Sequence, residues 1–280
     1  MMNRPPLIRP PSEADALILQ PTYGCSHNRC AFCLTYRDRS FEARPQDAVL
    51  REIDAFAPIM EGVKKVFLGD GDPLTLPCDR LLPILNHIAL RLPSVRRVTA
   101  YASPRNFRNK SVSELAALRE AGLTQVYMGY ESGDDEVLRM MRKGCCRTDI
   151  LEAADKLHQA GIKISAILIL GVAGPNLSMR HARQSADIVN RTRPRFLSLL
   201  TLMKPDGYAR QTGFPEFREL SIREVLCECR TLLSHIEQTG IIFRANHVSN
   251  HFALEGVLQK SKARLLSEID SALASCVSMF

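Results

Sequence analysis

Gln20-Pro21-Thr22-Tyr23-Gly24-Cys25-Ser26-His27-Asn28-Arg29-Cys30-Ala31-Phe32-Cys33 follows directly on a short apolar run, Ala16–Gln20. The run reads as a strand and the stretch after it as a loop at the strand's carboxyl end. Cys25, Cys30 and Cys33 share that loop, with no fourth cysteine beside them. Three thiolates on one tight loop can hold three irons of a [4Fe–4S] cluster and leave the fourth iron open. A structural metal site closes its coordination sphere, whereas a catalytic one keeps a position free. A competing reading adds His27 to make a Cys3His zinc site. Two of its ligands, Cys25 and His27, would then lie only two residues apart, a poor geometry for a tetrahedron.

Outward from this loop, strand-like and helix-like segments alternate almost to the end of the chain. Strands are expected at Ala16–Gln20, Lys65–Leu68, Arg97–Ala102, Gln125–Tyr130, Lys163–Leu170 and Phe196–Leu202, all short and apolar, as strands covered on both faces are. Helices are expected where Val49, Leu50, Ile53, Phe56, Ala57 and Met60 recur at helical spacing. The same holds for Ile222, Val225, Leu226, Cys229, Leu232, Leu233 and Ile236. Ser111 with Glu114, and Ser221 with Glu224, have the spacing of capping boxes.

Six β-α units in succession argue for a parallel sheet, either an open doubly wound sheet or a complete or partial barrel. Both bind ligands at the carboxyl ends of their strands. The residues with chemistry fall there. Cys25 follows the first strand, Gly69-Asp70-Gly71-Asp72 the second and Ser103 the third, while Glu131 closes the fourth and Gly171-Val172-Ala173-Gly174 the fifth. The expected organisation is an N-terminal extension (1–14), a core (15–240) and a C-terminal extension (241–280). The last part contains a polar loop, Asn246–His251, and a final helix from about Lys260.

Composition bounds the function. The chain has 280 residues, and 37 Lys and Arg against 30 Asp and Glu leave a net charge of +7. The excess is spread along the chain, so an anionic substrate or a nucleic acid is compatible, with nucleic acid not favoured. No apolar run reaches the ~18–20 residues of a membrane span, and the N-terminus has no secretory h-region. A cytoplasmic protein is expected. Nine cysteines in such a chain indicate metal or redox chemistry rather than a disulfide framework. Cys145-Cys146 reads as a helix-entry detail and Cys229 as core. Cys78, Cys227 and Cys276 have no partners at ligand spacing.

The cysteine triplet, with Phe32 beside its last member and alternating strands and helices downstream, resembles the radical S-adenosylmethionine (SAM) superfamily. The usual spacing there is C-x3-C-x2-C; the first gap here holds four residues. The string Gly24–Cys33 is similar to a subgroup of largely uncharacterised, B12-independent members. The resemblance implies a partial (β/α)6 TIM-like barrel of parallel strands with outer helices, plus a C-terminal helical extension. It implies cluster ligation by Cys25, Cys30 and Cys33. Gly69, Asp70, Gly71 and Asp72 match the segment that receives the methionyl amino group, and Glu131 the position that contacts the ribose. Gly171 through Gly174 match the segment flanking adenine, and Phe32 the aromatic that covers it. Ser103 and Lys143 become contacts to the methionyl carboxylate.

The implied activity is reductive cleavage of SAM to a 5′-deoxyadenosyl radical, which abstracts hydrogen from a substrate. The implied partners are a flavodoxin or ferredoxin as one-electron reductant and a compact, small-molecule substrate. The alternative is a non-catalytic iron–sulfur or zinc-binding scaffold, or an electron carrier. In the polar loop, His247, Asn250 and His251 are candidates either for substrate contact or for hydrogen bonds that fix the loop.

Overall fold

The computed structural model describes residues 7–214 and 216–275. Cys276 and the start of the N-terminal extension lie outside the described residues. The chain divides into two compact units. One holds the residues up to Asn28 with Thr35–Met128 and Glu152–Ile164, and the other holds Arg29–Leu34, Gly129–Leu151 and everything from Ser165 on.

In the first unit the chain runs β1 (Leu17–Leu19), β2 (Thr22–Tyr23), β3 (Glu42–Ala43), α1 (Gln46–Phe56), β4 (Lys65–Leu68), α2 (Cys78–Arg91), β5 (Arg97–Ala102) and α3 (Val112–Glu120). It then enters β6 (Leu123–Glu131), whose last three residues belong to the second unit. Strands β1, β4, β5 and β6 are neighbours in that order, all parallel. Side chains alternate across them. Val66, Leu68, Val98, Ala100, Val126 and Met128 take one face, and Ile18, Phe67, Tyr101 and Tyr127 the other. On the second face Phe67, Tyr101 and Tyr127 meet edge to face, with centroids 4.9–6.2 Å apart. The apolar stripe of α1 buries Val49 and Ile53 completely, each contributing about 1.5–3 kcal/mol. The helix stops at Phe56, so Ala57 and Met60 lie beyond it, in a turn.

The remaining elements are α4 (Asp135–Met140), α5 (Arg147–Gln159), β7 (Lys163–Leu170), α6 (Gly174–Thr192), β8 (Phe196–Thr201), α7 (Tyr208–Thr212), α8 (Ile222–His235), β9 (Ile242–Ala245), β10 (Leu254–Val257) and α9 (Leu258–Ser275). In the second unit β7, β8 and β9 are parallel neighbours and β10 closes the run antiparallel to β9. Helix α6 packs on α8, and α9 packs on both α8 and β10. Both expected capping boxes form. Ser111 Oγ accepts from the Glu114 amide at 3.2 Å, Ser221 Oγ from the Glu224 amide at 3.3 Å, and each glutamate accepts the serine's own amide in return.

The fold class is the expected one, α/β with parallel strands of the partial TIM-like kind. The C-terminal part adds what periodicity did not announce, a β9–β10 hairpin ahead of the final helix. Ile242–Ala245 and Leu254–Val257 are too short to show an alternation of their own.

Candidate active site

The first unit ties two strand-end loops together. Gly24 has φ +67°, and a Cβ there would stand 2.9 Å from the Ser40 carbonyl oxygen, so the position requires glycine. Its N–H donates to Asp70 Oδ2 at 3.1 Å, and its carbonyl accepts the Gly71 N–H at 3.1 Å. A Cβ on Gly71 would come within 3.0 Å of the Cys25 Cβ and 2.8 Å of the Tyr36 ring. Ser26 Oγ donates to Asp72 Oδ2. Arg39 Nη1 stands 3.4 Å from Asp70 Oδ2. Both carboxylates are buried, and each keeps its Oδ1 without a hydrogen-bond partner. A buried carboxylate oxygen left unmatched is costly, by about 1–3 kcal/mol or more; the Tyr36 hydroxyl, also unmatched, is the chain's own donor beside Asp70, and a cationic group would satisfy both acids. Burial, and after it the Asp70 charge, pushes the neighbouring Tyr36 hydroxyl far above its ordinary pKa.

Below this loop, Arg44 Nη1 joins the Gln20 carbonyl at 2.9 Å to Glu52 of α1 at 2.5 Å, which fixes where β1 ends. Ser103 begins a 3-10 turn, Pro104–Phe107, with its N–H donating to Asn106 Oδ1 at 2.6 Å.

In the second unit, the Cys33 N–H donates to the Cys30 carbonyl at 3.2 Å, and the Ala31 N–H to the Met141 carbonyl at 2.8 Å. This turn sits next to Lys143, whose Nζ lies 5.7 Å from the centre of the Phe32 ring and 2.7 Å from Glu131 Oε1. Lys143 and Glu131 are both buried. Burial by itself would lower the lysine's pKa; Glu131, Cys30 and Cys145 outweigh it and hold the ammonium charged. Burial pushes the Cys145 thiol up to about 11. Glu131 has φ +62°, a left-handed conformation uncommon outside glycine. It turns the carboxylate back along the strand, into the space where a Cβ on Gly129 would lie 2.0 Å from Oε1.

Gly171 and Gly174 follow β7 with φ +78° and +64°. The Gly171 N–H donates to Glu228 Oε1 at 2.7 Å, and the same carboxylate accepts from Ser178 Oγ. His181 Nε2 is 3.7 Å from Glu228 Oε1, and its Nδ1 meets Ser132 Oγ at 2.8 Å. All four side chains are shut away from solvent. Burial pushes Glu228 up to about 7 and His181 down to about 4.

Among the described residues, no three His, Cys, Asp or Glu side chains gather at metal-ligating distance. Cys25 belongs to the first unit and Cys30 and Cys33 to the second; all three are half-buried and in no disulfide.

The sequence pattern that defines the Radical SAM superfamily matches residues 19–187. The chain belongs to the radical SAM superfamily. Its cofactors are those of the family, a [4Fe–4S] cluster and SAM, and it is an enzyme. This radical SAM chain is 23% identical over 184 residues to a tRNA-2-methylthio-N(6)-dimethylallyladenosine synthase of Petrotoga mobilis, a match over 61% of this chain and 40% of that protein. It is 24% identical over 126 residues to the heme chaperone HemW of Bacillus subtilis, over 44% of this chain and 33% of HemW. Among solved structures, coproporphyrinogen III oxidase (HemN) of Escherichia coli aligns with a TM-score of 0.61 at 18% identity, over 79% of this chain and 52% of HemN. The methyltransferase TsrM of Kitasatospora setae, solved with cobalamin and a [4Fe–4S] cluster bound, aligns with a TM-score of 0.54 at 17% identity, over 66% of this chain and 36% of TsrM. The radical SAM chain thus spans about half the length, or less, of these relatives. No described helix is long and apolar enough to cross a membrane.

Of the residues singled out in the sequence, the structure brings Gly69–Asp72 to Cys25, and Phe32, Glu131 and Lys143 to Cys30. Gly171 and Gly174 share one turn, the Gly174 N–H donating to the Gly171 carbonyl at 3.2 Å. Asn250 is a clamp, donating to the Leu199 carbonyl at 2.9 Å and accepting from Thr201 Oγ1 at 2.8 Å. Sequence reasoning missed Glu228. The available signal was an acid one step from Cys229 on an otherwise apolar helical stripe. It also missed Tyr36, for which the sequence carries no signal.

Proposed function

We propose that Cys25, Cys30 and Cys33 hold the [4Fe–4S] cluster and that the strand-end residues around them receive SAM. Held there, the cluster and SAM would supply one-electron reductive cleavage of SAM to methionine and a 5′-deoxyadenosyl radical, and with it hydrogen-atom abstraction from the substrate. The chain's residues bind and orient. Asp70 and Asp72 accept the methionyl ammonium. Glu131 takes the ribose hydroxyls, and Lys143, joined by Ser103, takes the methionyl carboxylate. Gly171 to Gly174 and Phe32 enclose the adenine. The electron donor is a flavodoxin or ferredoxin.

The observation that carries this reading is the pair of buried carboxylates fastened to the cysteine loop with unmatched oxygens. Their fit to a cationic amino group is a matter of donor chemistry, and the three half-buried thiols have the softness an iron–sulfur cluster requires. The Cys25→Ala, Cys30→Ala and Cys33→Ala variants are each expected to lose dithionite-dependent formation of 5′-deoxyadenosine. A variant that forms it at the parent rate removes that cysteine from the ligand set.

The substrate is a compact molecule. The tRNA-modifying relatives support a second reading, modification of RNA. A gel shift with total tRNA at moderate salt separates the two, and tight, salt-resistant binding would favour RNA.

A further inference from the structure

Across β8 and β9 of the second unit one face of the sheet is buried and the other half-buried. In β8, Leu197, Leu199 and Thr201 are buried while Phe196, Ser198 and Leu200 are half-buried. In β9, Phe243 and Ala245 are buried while Ile242 and Arg244 are half-buried. The parallel register sets Phe196 beside Ile242 and Ser198 beside Arg244, so these four share a face. The opposite face is the buried one. Gly256, the partner of Phe243, would press a Cβ to within 2.5 Å of Ser261 on α9.

Arg244 therefore stands on the half-buried face, next to last in its strand, towards the carboxyl end where parallel α/β folds bind ligands. Among the described residues its guanidinium has no ion-pair or hydrogen-bond partner, and neither does the Ser198 hydroxyl. The acid opposite Arg244 in the register makes no ion pair with it. Glu255 lies directly opposite Arg244 on β10, yet its Oε2 is held by Asn246 Nδ2 at 3.2 Å. The main chain around Arg244 is rigidly set. The loop after β9 is fastened to β8 by the Asn250 clamp and by the Thr201 N–H, which donates to Ser249 Oγ at 3.1 Å. Among the described residues Arg244 makes no ion pair of its own, so the hydrogen-bonding capacity of its guanidinium is left for a group from outside the chain.

We propose that Arg244, assisted by Ser198, binds an oxyanion of the substrate, a carboxylate or a phosphate. A planar guanidinium fork beside a hydroxyl matches the paired oxygens of either group. The proposal names the substrate class of the enzyme read above, and so it rests on that reading. It excludes a wholly apolar substrate.

The test titrates cluster-reconstituted protein with inorganic phosphate and with tricarballylate at low salt, read by calorimetry. The parent binds at least one of them saturably. Arg244→Gln binds it at least ~10-fold more weakly, Arg244→Lys by about 3-fold, and Lys260→Gln, which removes an exposed charge elsewhere, as the parent does. Preference for phosphate or for tricarballylate assigns the substrate's anion. A parent that binds neither, or an Arg244→Gln variant that binds like the parent, overturns the proposal. A thermal melt supplies the second readout. Removing an unpaired charge is expected to leave the midpoint unchanged or higher; a loss of more than about 5 °C makes Arg244 a structural residue and overturns the proposal as well. SAM cleavage measured on the same samples separates the two claims. Cleavage without anion binding sinks only the substrate class, and anion binding without cleavage sinks only the radical reading.

Discussion

Two glycine loops, each following a strand and each backed by acids, are built to opposite ends. Asp70 and Asp72 in the loop after β4 anchor one oxygen apiece on the cysteine loop and leave the other buried and unmatched. Glu228 beneath the loop after β7 has both oxygens occupied, one by the Gly171 amide and one by Ser178. The first pair of acids is incomplete without a ligand. The second is complete and holds main chain in place. Residue type does not distinguish them; saturation does. Glu13 and Glu52 also keep one buried oxygen unmatched, so it is the spare oxygen together with the place beside the cysteine loop that makes Asp70 and Asp72 receivers.

The largest expected effect breaks the first loop. Asp70→Ala should weaken SAM binding by about 10- to 100-fold, the ~1.5–3 kcal/mol of a hydrogen bond to a charged group, with little change in cluster content. Equilibrium binding of SAM to reconstituted protein measures it. If affinity is unchanged, Asp70 is not a receiver and the contrast with Glu228 collapses. Lys143→Met addresses the intermediate case, a receiver already paired within the chain. It strands a buried Glu131 carboxylate, so stability should fall by about 3–5 kcal/mol in chemical denaturation. The double variant Lys143→Met/Glu131→Gln should recover much of that loss, and failure to recover it would show that the pair is not the source.

Glu228 should behave as scaffold. Glu228→Ala leaves the Gly171 amide and the Ser178 hydroxyl unmatched at a cost of about 2–4 kcal/mol, and SAM affinity should fall less than in Asp70→Ala. The reverse ranking would contradict the assignment. Acid titration sharpens the point. Glu228, raised to about 7, contributes stability that is full below its unfolded value of 4.5 and is lost as pH rises through 7. His181, lowered to about 4, contributes stability that is present above 6.5 and lost as pH falls through 4. The two slopes oppose each other between roughly pH 4.5 and 6.5, so the parent should be nearly flat there. Glu228→Gln should then gain stability with rising pH across that window, and His181→Gln should lose it. Parallel curves for the two variants would show that the groups do not titrate as a facing pair. The smallest effect is Ser221→Ala at the start of α8, the helix that carries Glu228. Loss of that cap should cost about 1 kcal/mol and leave SAM binding untouched.

Much of this was legible in the residues. The order of strands and helices could be read because buried parallel strands are short apolar runs, and the strand-end residues could be found because such folds bind ligands there. The capping boxes at Ser111 and Ser221 are local and were readable in full. What stayed hidden depends on contacts between residues far apart in sequence. Glu228 and Gly171 are separated by 57 positions. Lys143 and Glu131 each resemble a ligand contact, but their union at 2.7 Å is visible only once Glu131 adopts its left-handed backbone. Arg244 looks like any surface arginine until the β8–β9 register sets it beside Ser198 on a half-buried face, with no ion pair to the acid opposite.

The most direct test of the central claim is the EPR spectrum of anaerobically reconstituted, dithionite-reduced protein, recorded with and without SAM. The parent is expected to show a [4Fe–4S]+ signal that changes on adding SAM. Asp70→Ala should show the same signal, now indifferent to SAM at concentrations that saturate the parent. A reduced cluster in the parent that does not respond to SAM would contradict the account, and the unmatched carboxylates would then be receivers for something else.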